Sequence, residues 1–581
     1  MKRLTFAALG TSMASAFRKG DDRMPADESR TLEEGKRRRR VSFAIPARAG
    51  HHAKCPEVGM SSQGLSRRNF LRVSAGVLGS GLLNRSLARS HVPKARDRRP
   101  NILLAIADDQ SWPHAGAYGC PFVSTPNFDR VAREGVLFTN AFAAAPQCSP
   151  NRAAILTGRY IWQLEEAGTH SSNFPRKFPV YTEILESAGY MVGYTGKGWS
   201  PGNWQVTGWK RNPAGYDFNQ RQLEERPTQG ISRIDYAANF VQFLREKPKD
   251  RPFCFWFGGH EPHRPYERGS GLRLGKRPEL VEVPGFLPED PVVREDILDY
   301  SLEIEWFDQQ LGRILQALEE AGELDNTLIV VTSDNGMPFP RAKANLYEYG
   351  IHLPLAIRWG REVRGGRIID ALVSFVDFAP TFLEAAGLPI PREMAGKSLL
   401  DLLTTESGPQ SHRDHILAGR ERHSHARPDN LGYPARAIRT ERYLYIWNAR
   451  PDRWPAGDPT GSGEPEGYHD IDSSPTKTFM IEHQNDPHVR RLFELGFGKR
   501  PEEELYEVCG DPFCLRNLAE ELAFESVRNQ LRERLHNLLR QQGDPRELGT
   551  GDIFESYPRY GQMRDFPGFK EQGKYNPKYQ R

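Results

Sequence analysis

Cysteine is scarce in this chain, with six residues among 581. No Cys-x-x-Cys pair occurs and no cysteine–histidine array has metal-ligand spacing, which excludes a zinc or iron–sulfur site and a disulfide scaffold. Cys509 and Cys514 flank a Gly-Asp-Pro turn. A disulfide between them and two free thiols are both compatible with that spacing.

A strong charge of one sign is also absent. The formal net charge is +4, and it is unevenly placed, since residues 1–99 hold 22 Lys and Arg against 8 Asp and Glu. This leaves 57 basic against 67 acidic residues in 100–581. The body of the protein is therefore acidic, which argues against nucleic acid as a partner.

The amino-terminal region resembles a twin-arginine export signal. The segment Ser66-Arg67-Arg68-Asn69-Phe70-Leu71-Arg72 precedes an apolar stretch at 73–83, and small residues follow at 86–88. A bilayer span needs roughly 20 apolar residues, so this stretch is too short to be a stable membrane anchor. We expect the twin-arginine machinery to export the protein to the periplasm or the outside of a bacterial cell. Met1 and Met60 are both candidate starts.

From residue 101 onward, short apolar runs alternate with amphipathic stretches. The apolar runs predict strands at 102–107, 136–144, 190–195, 253–257, 328–332, 355–359 and 371–376. Apolar residues spaced by three and four predict helices at 127–134, 181–188, 236–247, 294–320 and 378–386. This alternation predicts the α/β class, with a large, mixed, mostly parallel sheet flanked by helices.

Composition changes at a polar linker, 406–413. Beyond it, runs at 416–419 and 437–448 predict antiparallel strands with a turn at 439–442. An amphipathic helix at 517–540 should pack on them through Leu518, Leu522, Val527, Leu531, Leu535 and Leu538. We expect an extension with the signal at 1–99, a catalytic domain at 100–405, a smaller subdomain of antiparallel sheet plus helix at 414–542, and a tail at 543–581 that wraps the surface or stays mobile.

Polar side chains follow four of the predicted strands. Because the carboxyl ends of parallel strands line the ligand crevice of an open sheet, we expect these side chains to converge. Each alone is equally compatible with a structural role as a cap, a turn residue or a core histidine. In chain order they are Asp108 and Asp109, Lys197, His260, and Asp334 with Asn335.

Three carboxylates and one amide in this set offer only oxygen ligands. That donor set suits a hard divalent cation, with Ca²⁺ favoured over Mg²⁺. Without a cation the carboxylates would repel one another and raise one another's pKa. The sequence therefore predicts a metal site at this edge of the sheet.

Cys148 enters a predicted helix that has Pro150 near its start and Arg152 one turn further on. A helix amino terminus stabilises developing negative charge, and Arg152 lies on the same face as Cys148. The pattern indicates a nucleophile that acts on an anion. A buried thiol beside a capping arginine is the alternative.

The segment from Cys148 to Gly158 resembles the signature of the sulfatase family, Cys-x-Pro-x-Arg followed by Thr-Gly. The resemblance extends over roughly residues 100–540. It includes Asp108-Asp109, Gly196-Lys197, Asp334-Asn335-Gly336, Glu504-Leu505-Tyr506, Asp511-Pro512 and Asn517-Leu518. Within the family, His260-Glu261-Pro262-His263-Arg264 and the run from Asp334 to Pro340, continuing to Asn345-Leu346-Tyr347, are most similar to the heparan N-sulfatase (sulfamidase) branch.

The resemblance implies an alkaline-phosphatase-like fold and hydrolysis of sulfate esters or sulfamates of a sulfated carbohydrate, with a heparan-like glycan as candidate. It also implies that a sulfatase-maturing enzyme oxidises Cys148 to formylglycine, whose hydrate attacks sulfur. The implied cation ligands are Asp108, Asp109, Asp334, Asn335 and the residue at 148. Arg152, Lys197 and Lys343 would bind sulfate oxygens or orient the hydrate, and His260 or Lys343 would protonate the leaving group.

One position departs from the family pattern. Sulfatases commonly carry a histidine two residues after the active-site lysine, whereas Trp199 stands two residues after Lys197 here.

Histidine and arginine side chains suit the binding of carboxylated or sulfated sugars. The candidate substrate-binding residues at the pocket rim are His263, His423, Arg427 and Arg436, with His425 beside them, and solvated loop residues are the alternative.

Two other functions are compatible with this sequence. Phosphate-ester and phosphonate hydrolases of the same superfamily act on tetrahedral anions of similar size. A protein whose Cys148 is never oxidised would bind sulfated glycans without turnover.

Overall fold

The computed structural model describes residues 99–360, 362–405, 412–462, 467–561 and 564–566. The predicted export signal lies outside the described residues, as do most of the linker at 406–413 and the end of the tail from residue 567. Within the described ranges, no helix is both long enough and apolar enough to cross a membrane.

The strands of the described residues are β1 (Asn101–Ala107), β2 (Val136–Phe138), β3 (Ala141–Phe142), β4 (Met191–Gly196), β5 (Tyr216–Asp217), β6 (Phe253–Gly258), β7 (Thr327–Ser333), β8 (Leu355–Arg358), β9 (Arg367–Ile369), β10 (Val373–Ser374), β11 (Ile416–Arg420), β12 (Ala435–Arg439), β13 (Tyr443–Asn448) and β14 (Glu503–Glu507).

The α-helices of the same ranges are α1 (Pro126–Glu134), α2 (Cys148–Thr157), α3 (Tyr181–Ser187), α4 (Tyr236–Glu246), α5 (Ser270–Arg273), α6 (Pro291–Glu320), α7 (Glu348–Ile351), α8 (Phe378–Ala385), α9 (Leu400–Thr404), α10 (Pro475–Glu482), α11 (Arg490–Phe497), α12 (Glu525–Gln541) and α13 (Ile553–Ser556).

The main sheet has eight strands in the order β5-β4-β6-β1-β7-β8-β2-β9. The pairs from β5 to β7 are parallel, and β8 runs antiparallel to both of its neighbours. The predicted α/β class with a mixed, mostly parallel sheet is therefore confirmed. The run predicted as one strand at 136–144 is two strands, because β2 joins the main sheet whereas β3 pairs with β10 in a separate two-stranded sheet.

Strand β1 shows how the sequence builds the layers. All seven of its residues are buried, and the six apolar residues that follow Asn101 alternate between two apolar clusters on opposite faces of the sheet. Ile102, Leu104 and Ile106 face the cluster that contains residues of α2, α3 and α8. The intervening residues face the cluster that contains α1, α4 and α6. Both faces are covered, as a continuous apolar strand requires.

A second sheet follows in the chain, with the antiparallel order β11-β12-β13-β14. The predicted turn between β12 and β13 is confirmed. Helix α12 begins at Glu525, later than predicted, and its buried stripe is Leu531, Leu535 and Leu539. Leu522 was expected in this stripe, but it lies ahead of the helix and is 88% exposed. Cys514 is a free, buried thiol, so no disulfide joins it to Cys509.

Candidate active site

Helix α2 places Cys148 at its first position and ends at Thr157, and Gly158 caps it with a left-handed φ of 65° that glycine adopts without strain. All residues of the helix are buried. Cys148 Sγ lies 3.5 Å from Asp108 Oδ1 and 3.9 Å from Asp109 Oδ1. Burial raises the pKa of the thiol well above its ordinary value. The thiol is therefore protonated at neutral pH and is a weak nucleophile.

The acidic residues converge because β1 and β7 are adjacent and in register. Ala107 pairs with Ser333, so Asp108 and Asp334 follow their strands side by side. The backbone N–H of Asp109 donates to Asp334 Oδ1 at 3.1 Å. Asp109 has a φ of 75°, a conformation that costs a non-glycine residue about 1–3 kcal/mol and is found preferentially at functional sites.

These carboxylates form a donor set that fits a cation. One ligand atom from each of Asp108, Asp109, Cys148 and Asp334 lies within 4.8 Å of the others, and all four residues are buried. Asn335 donates its amide N–H to Asp109 Oδ1, while its own Oδ1 is buried with no hydrogen-bond partner among the described residues. A buried carbonyl oxygen is costly without a partner, and a hard divalent cation would supply one.

Three buried cationic side chains surround the acidic cluster. Arg152 Nε donates to Asp334 Oδ2 at 2.7 Å, and its Nη1 donates to the backbone oxygens of Lys197 and Gly198 at 2.6 and 3.1 Å. Lys197 Nζ lies 2.5 Å from Asp108 Oδ2. Lys343 Nζ lies 2.6 Å from Asp109 Oδ2. The site thus holds fixed positive charge beside its carboxylates.

The charges act differently on the two strand-end aspartates. Burial alone would raise the pKa of Asp108, but Lys197, His263 and Arg152 hold it well below its ordinary value. The pKa of Asp334 is raised to about 6, by burial first and then by the charge of Asp108. A bound dication would favour the ionised form of both groups.

Backbone geometry sets the two lysines in place. Gly196 has a φ of 74°, and a Cβ there would lie 1.9 Å from the carbonyl oxygen of Gly258, so only glycine allows β4 to deliver Lys197. Lys343 sits between Arg341 and Ala344, which both have positive φ. These backbone conformations place the ammonium groups of Lys197 and Lys343 beside the acidic cluster.

The two histidines of the His-Glu-Pro-His segment lie on the open side of the site. The backbone N–H of His260 donates to Tyr236 Oη at 3.1 Å, and that hydroxyl donates to Glu261 Oε2 at 2.8 Å. Desolvation of the His260 ring by the surrounding protein, together with the positive charge of Lys197, lowers the pKa of His260 to about 4. His263 Nε2 is 3.8 Å from Asp109 Oδ2, and its side chain is 35% exposed.

Two of the candidate substrate residues occupy structural positions instead. Arg436 is buried between Asp544 and Glu421, at 2.5 and 2.8 Å. Arg427 is buried and pairs with Asp470 at 2.7 Å. The expectation that these two arginines line the pocket rim is wrong, because carboxylates and backbone carbonyls already take up their guanidinium groups. His423 is also buried, beside Asp470.

Sequence reasoning missed Asp472 at the site and the contact that Trp199 makes there. Asp472 Oδ2 lies 3.0 Å from Lys343 Nζ, and Lys343 lowers the pKa of this carboxyl. Trp199, which stands where the family has histidine, is fully buried and donates its Nε1–H to the backbone oxygen of Ser149 at 3.0 Å. Trp199 therefore supports the first turn of α2. No local pattern identifies Asp472, since its partner is 129 positions away in the chain.

Comparisons with protein families match two regions of the chain. The family model described as Sulfatase matches residues 100–388. The model described as N-sulphoglucosamine sulphohydrolase, C-terminal, matches residues 341–483.

Individual proteins match most of the chain. The human N-sulphoglucosamine sulphohydrolase is 29% identical over 516 residues, covering 79% of this chain and 94% of the human protein. An ulvan-active sulfatase of Formosa agariphila is 27% identical over 487 residues, covering 78% of this chain and 77% of that protein. Among solved structures, BT4656 in complex with D-glucosamine-2-N,6-O-disulfate superposes with a TM-score of 0.55 at 22% identity, covering 77% of this chain and 99% of that chain.

Proposed function

Because this chain belongs to the sulfatase family, whose members hydrolyse sulfate esters or sulfamates, we propose that it removes sulfate from a sulfated glycan through a formylglycine at position 148 and a divalent cation. One observation carries the proposal. The signature cysteine lies at the start of α2 within 3.9 Å of two buried carboxylates, and three buried cationic side chains surround them.

The proposed nucleophile requires maturation of Cys148 by a sulfatase-maturing enzyme. The raised pKa of the buried thiol supports this requirement, since a protonated thiol attacks poorly at neutral pH. Formylglycine supplies an oxygen nucleophile in its place.

Asp108, Asp109, Asp334, Asn335 and the residue at 148 would hold the cation, for which the all-oxygen protein donors favour Ca²⁺ over Mg²⁺. When bound, the cation neutralises charge on the sulfuryl group and lowers the pKa of the attacking hydroxyl.

The protein's own cations bind and orient the sulfate. Lys197 and Lys343 hold positive charge at the site through their contacts with Asp108 and Asp109. Arg152 Nη2 is buried with no hydrogen-bond partner among the described residues, so it has a donor left for an anion. Preorganised charges of this kind stabilise a developing anion without reorganisation. Lys343, which stays protonated, donates the proton to the leaving oxygen or nitrogen, or His260 does so after taking up a proton, since its pKa is about 4.

We further propose a glucosamine-containing, heparan-like glycan as substrate. The match to the human N-sulphoglucosamine sulphohydrolase covers 94% of that protein, and its carboxyl-terminal family model matches residues 341–483 here. Those residues include Lys343 and Asp472. Export to the periplasm or cell exterior, as the segment at 66–72 predicts, would bring the protein to such glycans.

The test uses protein co-expressed with a sulfatase-maturing enzyme. Inorganic sulfate released from glucosamine N-sulfate, glucosamine 6-sulfate and a sulfated ulvan oligosaccharide is measured by ion chromatography, with Cys148→Ala as control. We expect sulfate from at least one glucosamine substrate and none from the control. Fully matured protein that released no sulfate, or that cleaved glucosamine 6-phosphate faster, would refute the proposed function.

A further inference from the structure

The described part of the tail packs beside the nucleophile helix. Ser171 N–H donates to Ser149 Oγ at 3.1 Å, next to Cys148. Tyr560 N–H donates to the backbone oxygen of Ser171 at 2.7 Å, and Ser171 Oγ donates to the backbone oxygen of Tyr560. A continuous hydrogen-bonded path therefore joins the tail to the residue that follows Cys148.

This contact brings two arginines toward the site. Arg559 Nη1 donates to the backbone oxygen of His423 at 2.8 Å. Arg564 donates its backbone N–H to His425 Nδ1 at 2.8 Å. Both arginine side chains are partly exposed, so a small solute can reach them.

The charges of these arginines are not balanced locally. No carboxylate of the described residues lies within 4.0 Å of either guanidinium, and Arg559 Nε is buried with no hydrogen-bond partner among them. Asp470, an acid that acts on both arginines electrostatically, is already paired with Arg420 and Arg427 at 2.9 and 2.7 Å. Asp472 acts on Arg564 as well, and it is paired with Lys343 at 3.0 Å. A partly buried guanidinium without a counter-ion is unfavourable, and an anion would relieve it.

The ring of His170 feels the charges of both Arg559 and the two lysines of the site. It packs on His423 with ring centroids 4.5 Å apart. Burial and then the charges of His423, Arg559, Lys343 and Lys197 lower the pKa of His170. Arg559, Lys343 and Lys197 are therefore all close enough to His170 for their charges to act on the same ring.

We propose that Arg559, assisted by Arg564, forms a second anion site that binds another negatively charged group of the glycan. The group is a second sulfate on the same sugar or the carboxylate of a neighbouring uronic acid. Both arginines lie beyond residue 483, outside the ranges that the two family models match. The inference rests on the proposed function, since it names the substrate class of that same site.

The test compares substrates of different charge with matured protein. Glucosamine N-sulfate carries one anionic group, glucosamine N,6-disulfate adds a sulfate, and a uronic acid–glucosamine N-sulfate disaccharide adds a carboxylate. We expect the wild-type protein to bind at least one doubly anionic substrate more tightly. Arg559→Gln should raise KM for that substrate about 10- to 100-fold and change kcat and the KM for the singly charged substrate little, because one charge-assisted hydrogen bond is lost. Which substrate responds distinguishes a sulfate from a carboxylate.

Arg559→Lys should retain part of the preference, and Arg564→Gln should lose a smaller part of it. Arg490→Gln, an exposed change on α11, is the matched control and should change nothing. Thermal unfolding checks that each variant is folded. If Arg559→Gln does not fold, the comparison of substrates is made with Arg564→Gln instead. Equal KM for singly and doubly charged substrates in the wild type, or an Arg559→Gln effect of the same size on both, would overturn the second anion site. Absence of sulfate release from every substrate would instead refute the proposed function.

Discussion

Replacing Arg152 with lysine should damage both stability and turnover, because this guanidinium joins three parts of the site. It donates to Asp334 after β7 and to the backbone oxygens of Lys197 and Gly198 after β4, while itself belonging to α2. Arg152 is fully buried, so water cannot replace a lost partner. A lysine ammonium is a single point donor and cannot reproduce the planar fork of arginine.

The size of the effect follows from the bonds that lysine cannot make. If the ammonium keeps one contact, two hydrogen bonds from a charged donor disappear, each worth about 1.5–3 kcal/mol. The free energy of unfolding should fall by about 3–6 kcal/mol, against about 5–15 kcal/mol for a typical protein. Because Asp334 and Lys197 would then shift, kcat/KM should fall about 100-fold or more.

Chemical denaturation and sulfate release measure the two effects on the same preparation. Arg176→Lys is the control, since Arg176 makes an exposed ion pair with Glu183 and the change should cost under about 1 kcal/mol. If Arg152→Lys unfolded with wild-type stability and released sulfate at the wild-type rate, the reasoning that Arg152 holds the site together would be wrong.

Four further results are expected. Cys148→Ala should keep the wild-type melting temperature and lose sulfate release, since it removes only the precursor of the nucleophile. Chelation with EDTA should lower activity and melting temperature together, because the carboxylates then repel one another, and Ca²⁺ should restore both better than Mg²⁺. Asp472→Asn should lower kcat with little change in melting temperature, because Lys343 loses its second carboxylate. Arg436→Met should lower the unfolding free energy by about 3–5 kcal/mol while KM stays unchanged, because the buried carboxylate of Asp544 loses its ion-pair partner and Glu421 keeps only Arg546.

Each of these results has a contradicting outcome. Sulfate release by Cys148→Ala would contradict the first, and full activity after EDTA treatment would contradict the second. A wild-type kcat for Asp472→Asn would contradict the third. An Arg436→Met protein whose KM rises while its stability is unchanged would contradict the fourth. Calorimetry and steady-state sulfate assays decide all four.

Six strands of the main sheet could be predicted because they are short, mostly apolar and mostly buried, whereas the edge strands β5 and β9 are exposed or partly exposed and were not predicted. Every residue of β1 is apolar or buried, and the polar side chains that follow β1, β4, β6 and β7 mark the carboxyl edge. Strand β14 was missed, since its sequence Glu-Glu-Leu-Tyr-Glu is largely charged, and only pairing with β13 makes it a strand.

Long-range ion pairs explain the errors at the pocket rim. The pairing of Arg436 with Asp544 spans 108 positions, and nothing in either local sequence reveals it. An arginine just ahead of a predicted strand of the small sheet therefore looked available for substrate. The tail arginines could not be predicted either, since a contact between residues far apart in the chain, Tyr560 and Ser171, brings the tail toward Cys148.

The most direct test of the account examines residue 148 itself in protein that is hydrolysing sulfate. Mass spectrometry of the peptide that contains position 148 should show an aldehyde in place of the thiol, and the rate of sulfate release should rise in proportion to the fraction converted. A protein that released sulfate at full rate with an unmodified thiol at that position would contradict the account.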